Sequence, residues 1–186
     1  MIEHDLTDGA ADAVARAAAL GAVPDPLEVR ESPLPGGPYD LVVGDLLYSQ
    51  LLYPALLDLG VPAARRRAFL QRYGDRLTRA VVARLHTSAP NRPVVHLHDP
   101  LAWSPGHRQT VSLRDILALA QRDPAAALRL AAEGEGPREC DPRCALARFR
   151  IPIHRTEMWR WAFAGDTDYL VCASVAGDVP GRAARP

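Results

Sequence analysis

The chain has 186 residues, enough for one domain with a sizeable core, and its 48% hydrophobic and 24% charged residues argue against a disordered chain. Its 22 basic residues, all arginine, cancel 22 acidic ones, so bulk charge does not recruit nucleic acid. Three cysteines make no secreted disulfide framework and no apolar run is long enough to cross a bilayer, so the expectation is a cytoplasmic protein without membrane or nucleic-acid partners.

Residues 7–20, TDGAADAVARAAAL, predict a helix: Thr7 or Asp8 supplies a cap, the interior is alanine-rich, and Gly21 is placed to stop it. The five residues before it, MIEHD, read as the end of a strand cut short by the start of the chain. A proline-rich connection and a short candidate strand, LEVRESPL, lead through the Gly36-Gly37-Pro38 turn into YDLVVGD. There the Leu41-Val42-Val43 run predicts a strand buried on both faces. Ser49 is a candidate cap for a helix through QLLYPALLDLG, which Pro54 breaks or restarts because its ring clashes with the preceding turn.

A long helix is expected from Pro62 to about His86, with Phe69, Leu70, Tyr73, Leu77, Val81 and Leu85 on one stripe. Its arginines, Arg65, Arg66, Arg72, Arg76, Arg79 and Arg84, are read as a solvated face. RPVVHLHDPLAW predicts a short strand, and SLRD opens a helix in which Ser112 and Asp115 approximate a capping box. The last unit, RFRIPIHRTEMWRWAF and YLVCASV around Gly165-Asp166-Thr167-Asp168, predicts an antiparallel hairpin. Trp159, Trp161 and Phe163 alternate along it and are read as core.

Strands alternating with helices predict an α/β protein: a doubly wound, mainly parallel sheet covered on both faces, with a C-terminal antiparallel hairpin. Residues 1–178 are expected to form this single domain and 179–186 a flexible tail. Ligands of such sheets bind beyond the carboxyl ends of the strands, which points at Asp5, Glu31, Gly44-Asp45 and His98-Asp99.

The order of elements, with YDLVVGDLLY, VVHLHDPLAW and the WRWAF…YLVCASV hairpin, resembles the class I S-adenosylmethionine-dependent methyltransferases, whose fold is Rossmann-like. The resemblance implies S-adenosylmethionine as cofactor and a small-molecule substrate. It makes Asp5 or Glu3 the ribose ligand, Glu31 the adenine-side residue, and Gly44, Asp45 and Tyr48 the wall of the reaction cleft, with Asp45 or His98 as a base. The family's first strand and Gly-rich turn would precede MIEHD, and the only other candidate, GEG at Gly134–Gly136, follows a helix and lacks a third glycine. The expectation is therefore an N-terminally truncated relative, or one whose first strand lies upstream. A non-catalytic form would be a binding or oligomerisation module, a homo-oligomer included, that pairs through the exposed sheet edge.

Other groups have competing readings. His96 and His98 share a strand face; with Asp99 and His107 nearby they suggest a metal pair, but further ligands at metallohydrolase spacings are missing, and satisfied structural histidines are the simpler reading. His98, nearest the loop, is the candidate general base. Cys140 and Cys144 in CDPRC lack a second Cys/His pair, so no metal site is assigned, and Cys172 in an apolar strand is a core residue. Ser49 after GDLLY, with His107, faintly echoes serine esterases of the Gly-Asp-Ser-Leu type, although position 46 is Leu where the nucleophile should stand.

Overall fold

A computed structural model of the chain describes residues 4–24, 29, 32–107 and 109–177. Helix α1 spans Ala10–Leu20 and ends at Gly21, whose φ of 69° is the left-handed stop the glycine was expected to supply. Asp5 organises the turn before it. One carboxylate oxygen accepts the Thr7 N–H and hydroxyl at 2.8 and 2.9 Å, and the other accepts the Gly9 N–H. His4 and Asp5 are not in a strand, so the expected strand end in MIEHD is absent there.

Strand β1 is only Val42–Asp45, and Val43 is half exposed rather than buried on both faces. A 3-10 turn at Tyr48–Gln50 follows, then α2 (Tyr53–Asp58), where Pro54 lies in the first turn and starts the helix instead of breaking it. Helix α3 (Ala63–Ser88) follows Pro62 as expected and buries Tyr73, Leu77, Val81 and Leu85 at four-residue spacing. Arg84 departs from the solvated-face expectation. It is 2% exposed, and its guanidinium binds Asp8 at 2.9 Å, Ser32 O and the Leu6 carbonyl, tying the N-terminal segment to α3.

Strand β2 runs Val94–Trp103, longer than expected because it continues through an irregularity between His98 and Leu101, where Pro100 has no N–H to offer the ladder. Three capped helices follow: α4 (Leu113–Ala120) on the Ser112 hydroxyl, α5 (Pro124–Ala131) on Asp123, and α6 (Pro142–Phe149) on Asp141. Strands β3 (Ile153–Phe163) and β4 (Thr167–Ala176) close the chain as the expected hairpin. Gly165 and Asp166 both take positive φ in its turn, a conformation that glycine and aspartate adopt with least strain.

The protein is α/β, with a four-stranded mixed sheet in the order β1-β2-β4-β3. Here the expectation of a mainly parallel sheet is corrected: β1 and β2 are parallel, but β4 pairs antiparallel with both β2 and β3. The cause is local, since a tight turn forces β4 back along β3, and that hairpin occupies the sheet beyond β2. Coverage of both faces is also corrected. Val94, His96, His98 and Leu101 share a face with Ala176, Ser174, Cys172 and Leu170, and the helices lie on that face. Helices α3 and α6 cover Val42, Val94 and Ala176; α4 and α5 cover Leu101, Leu170 and Cys172; α1 and α2 form an outer layer on α3. No described helix covers the other face. Trp159, Trp161 and Phe163, expected in the core, stand there 40%, 39% and 51% exposed.

No described helix is long and apolar enough to cross a membrane. Residues 178–186, including the expected tail, lie outside the described span.

Candidate functional site

The parallel pair β1–β2 sets the site. After Asp45 the chain turns sharply at Leu46, whose N–H donates to the Leu97 carbonyl at 3.1 Å, and this carries Ser49 beside the strand β2 irregularity. There the Ser49 hydroxyl donates to Asp99 Oδ2 at 3.3 Å. The opposite wall is the α5–α6 connection, and two glycines let it come close. A Cβ on Gly136 would stand 2.0 Å from the Pro100 carbonyl oxygen, and one on Gly134 would stand 2.7 Å from Leu101 Cδ2. Between the walls lies a cavity of about 160 Å³, bordered by Ser49, His98, Asp99, Cys140, Asp141 and Arg143 among others. Its place beyond the carboxyl ends of the parallel strands is the one the α/β rule anticipates.

His98 is the unusual member. It is 2% exposed, and neither ring nitrogen makes a well-formed hydrogen bond; the one backbone contact, at the facing Cys172 on β4, is weak. Asp141 Oδ1 approaches Nε2 at 3.5 Å, too far and too poorly aimed for a hydrogen bond. Burial pushes the imidazole down to about 4 against the opposing pull of Asp141, so the ring is neutral at physiological pH.

Asp141 is committed elsewhere. It caps α6 by accepting the Arg143 N–H at 2.9 Å, and both its oxygens accept from Arg143 Nε at 2.9 and 3.0 Å. Burial would raise its carboxyl; the guanidinium bonds and the neighbouring imidazole outweigh this and hold it below the usual carboxylate range. Asp99 goes the other way, raised by burial against the Ser49 hydrogen bond. Burial raises all three thiols, with Cys140 and Cys172 pushed up to about 12, so they stay protonated and are poor nucleophiles. Among the described residues no three His, Cys, Asp or Glu side chains are grouped to hold a metal ion.

His96, two residues before, has its partners. The Tyr48 hydroxyl meets Nδ1, and Nε2 lies 3.1 Å from His86 Nε2. A neutral ring that accepts the hydroxyl at Nδ1 leaves its Nε2–H for His86. Burial and the neighbouring imidazoles push His96 down to about 3, and burial raises the Tyr48 hydroxyl and lowers His86. The two histidines share a face, as expected, yet divide the readings: His96 is the satisfied structural group and His98 the cleft-lining one.

The described cofactor residues expected from the resemblance are not gathered here. Asp5 spends its carboxylate on the α1 turn, which keeps it ionised below its ordinary range although burial opposes this. The space above Gly44 is closed by Leu85 and the Tyr48 hydroxyl, each 3.0 Å from where a Cβ would stand, and Tyr48 is 1% exposed. Asp45 is exposed on the side of β1 opposite to Gly44, so the structure separates it from His98. Glu3 and Glu31 lie outside the described residues. As described, these positions do not fit S-adenosylmethionine: the carboxylate meant for the ribose is used, and the backbone meant to approach the cofactor is covered. His107 is exposed in a turn near Gln109 and does not border the cavity that Ser49 lines.

Sequence reasoning missed Asp141 and Arg143. Their available signal was Asp141-Pro142, a cap followed by a first-turn proline, which marks a helix start but says nothing of what that start faces. No family model, curated protein or solved structure matches the chain.

Proposed function

We propose that the cavity beyond β1 and β2 binds a small molecule and that His98 accepts a proton from it. The supporting observation is the pair of unpartnered ring nitrogens, buried yet bordering the cavity. A buried polar group without a well-formed partner costs about 1–3 kcal/mol, and beyond the weak Cys172 backbone contact the fold supplies none. A ligand hydroxyl or amine supplies the missing partner and meets a neutral imidazole free to take its proton. Asp141, fixed by Arg143, stands where it stabilises the imidazolium that forms, and the Ser49–Asp99 pair offers a second polar contact. The apolar stretch of Leu101, Ala131 and Ala132 favours a compact, largely apolar ligand with one such polar group.

Methyl transfer from S-adenosylmethionine is the narrower reading that the order of elements suggests. The described residues give that cofactor no cradle, so the proposal stops at binding and proton transfer. Calorimetry with S-adenosylmethionine tests the narrower reading, and heat of binding would restore it.

The broader reading is tested by thermal-shift screening of alcohols, phenols and amines against the wild-type chain and His98→Leu. Compounds that raise the melting temperature of the wild type are expected to lose that effect in the variant. Hits that stabilise both chains equally would rule out His98 as the ligand's partner.

A further inference from the structure

Strand β2 carries one residue more than its neighbour can match. His98 faces Cys172 and Leu101 faces Leu170, three steps along β2 against two along β4. Successive strand residues ordinarily point to opposite faces. At this irregularity, however, His98 and the next residue, Asp99, both border the cavity. Granted that the cavity binds a small molecule, as proposed for His98, we propose that its ligand is a compact organic cation of the alkylammonium class, held by the Asp99 carboxylate with His98 beside it.

The charges around the cavity carry the assignment. Two carboxylates border it, and Asp141 is already neutralised by Arg143, whose Nη2 lies 2.5 Å from Oδ2. Asp99 has no cation of its own among the described residues. It accepts the Ser49 hydroxyl at 3.3 Å and a contact from its own backbone N–H, both neutral donors. The remaining cation at the rim, Arg138, is exposed to water and donates Nη2 to the Ala132 carbonyl at 2.7 Å. Neither arginine offsets the burial that raises the Asp99 carboxyl. A half-buried carboxylate at an apolar cavity is thus left without a counter-ion, and a cationic ligand supplies one.

Hydrogen-bonding capacity agrees. The Ser49 hydroxyl is directed at Asp99, and Arg143 directs Nε and Nη2 at Asp141. A neutral His98 whose one N–H points weakly at the Cys172 backbone keeps its other nitrogen as an acceptor. Asp99 and the imidazole therefore both want donors, and an ammonium offers three and no acceptor. Its bond to a carboxylate is roughly twice as strong as a neutral one. Leu101 and Ala131 leave a short alkyl chain an apolar wall within the cavity of about 160 Å³.

Calorimetry and thermal shift on the full chain with a matched set, n-butylamine, n-butanol and butyrate, test this at neutral pH, where the amine is a cation and the acid an anion. The amine is expected to bind the wild type at least about tenfold more tightly than the alcohol, and Asp99→Asn, its fold checked by circular dichroism, to remove that advantage. The comparison on the wild type needs no variant, so it decides even where the asparagine chain does not fold. An amine no tighter than the alcohol, or butyrate the tightest of the three, overturns the cation. So does an advantage that folded Asp99→Asn retains. The role of His98 fails separately: amine and alcohol binding that His98→Leu leaves unchanged removes the imidazole and keeps Asp99, whereas no binding by any of the three overturns both.

Discussion

His98 Nε2 lies 3.5 Å from Asp141 Oδ1, and the two groups face each other without bonding. The carboxylate is held by Arg143 and by its own helix, so it does not reorient to meet the ring. An imidazole with no well-formed hydrogen bond in the folded state is a stability deficit kept in place by its neighbours. The variant His98→Leu, of similar volume and without the idle polar atoms, is therefore expected to hold or raise stability by about 1 kcal/mol. Urea unfolding reads this directly; a loss of more than about 2 kcal/mol would mean that the ring has a partner in the folded chain.

Two buried imidazoles make the fold acid-sensitive. In the unfolded chain they take up protons as pH falls past the ordinary value of 6.5, whereas in the folded chain His98 waits until about 4 and His96 until about 3. Between these limits the unfolded state binds more protons, so stability is fully present above about 6.5 and declines as the medium is acidified. Each histidine costs roughly 1.4 kcal/mol per pH unit there, about 4 kcal/mol for the pair between pH 6.5 and 5. The urea midpoint should fall steeply over that interval, and His98→Leu should roughly halve the slope. A midpoint unchanged from pH 7 to pH 5 would contradict the buried neutral state.

Asp141→Asn separates the charge of that residue from its capping role, because asparagine also caps helices. Losing the carboxylate removes the influence that raises the His98 pKa, so the imidazole should titrate lower still, as followed by nuclear magnetic resonance. An unchanged or higher value would show that Asp141 does not act on the ring.

Arg84→Ala should be among the most damaging single changes in α3. It leaves Asp8 without its cation and the Ser32 and Leu6 carbonyls without their donor, at a cost of about 3 kcal/mol in thermal or urea unfolding. Lysine should not rescue it, since one ammonium cannot reach the partners that the guanidinium spans. A change below about 1 kcal/mol would show that this network is solvated.

The elements were legible because their signals are local. Gly21 stops α1, Ser112 caps α4, Pro62 precedes α3, and the turn between Phe163 and Thr167 makes a hairpin, each within a few residues of its cause. The sheet was less so. Val42 and Val43 look like a strand buried on both faces, but whether a helix lies over Val43 depends on where the β3–β4 hairpin docks, some 120 positions away in the chain. The tryptophans show the same limit: alternation at Trp159 and Trp161 marks one face of a strand without saying that anything covers it. At the site, His98 was found because it directly follows the part of β2 that pairs in parallel with β1. Asp141 and Arg143 were missed because they approach it from the first turn of α6, with no periodicity linking that helix start to the strand. Asp5 misled for a related reason, since a carboxylate just before a helix is as well suited to its N–H groups as to a diol.

The cavity wall opposite Ser49 is built largely from the connection between α5 and α6. Gly134 and Gly136 hold the α5–α6 segment against Pro100 and Leu101, while His98 and Asp99 belong to the sheet. Chamber width and chemistry are therefore carried by separate parts of the chain. Lengthening the segment between Ala132 and Pro137 would widen the chamber without moving the imidazole.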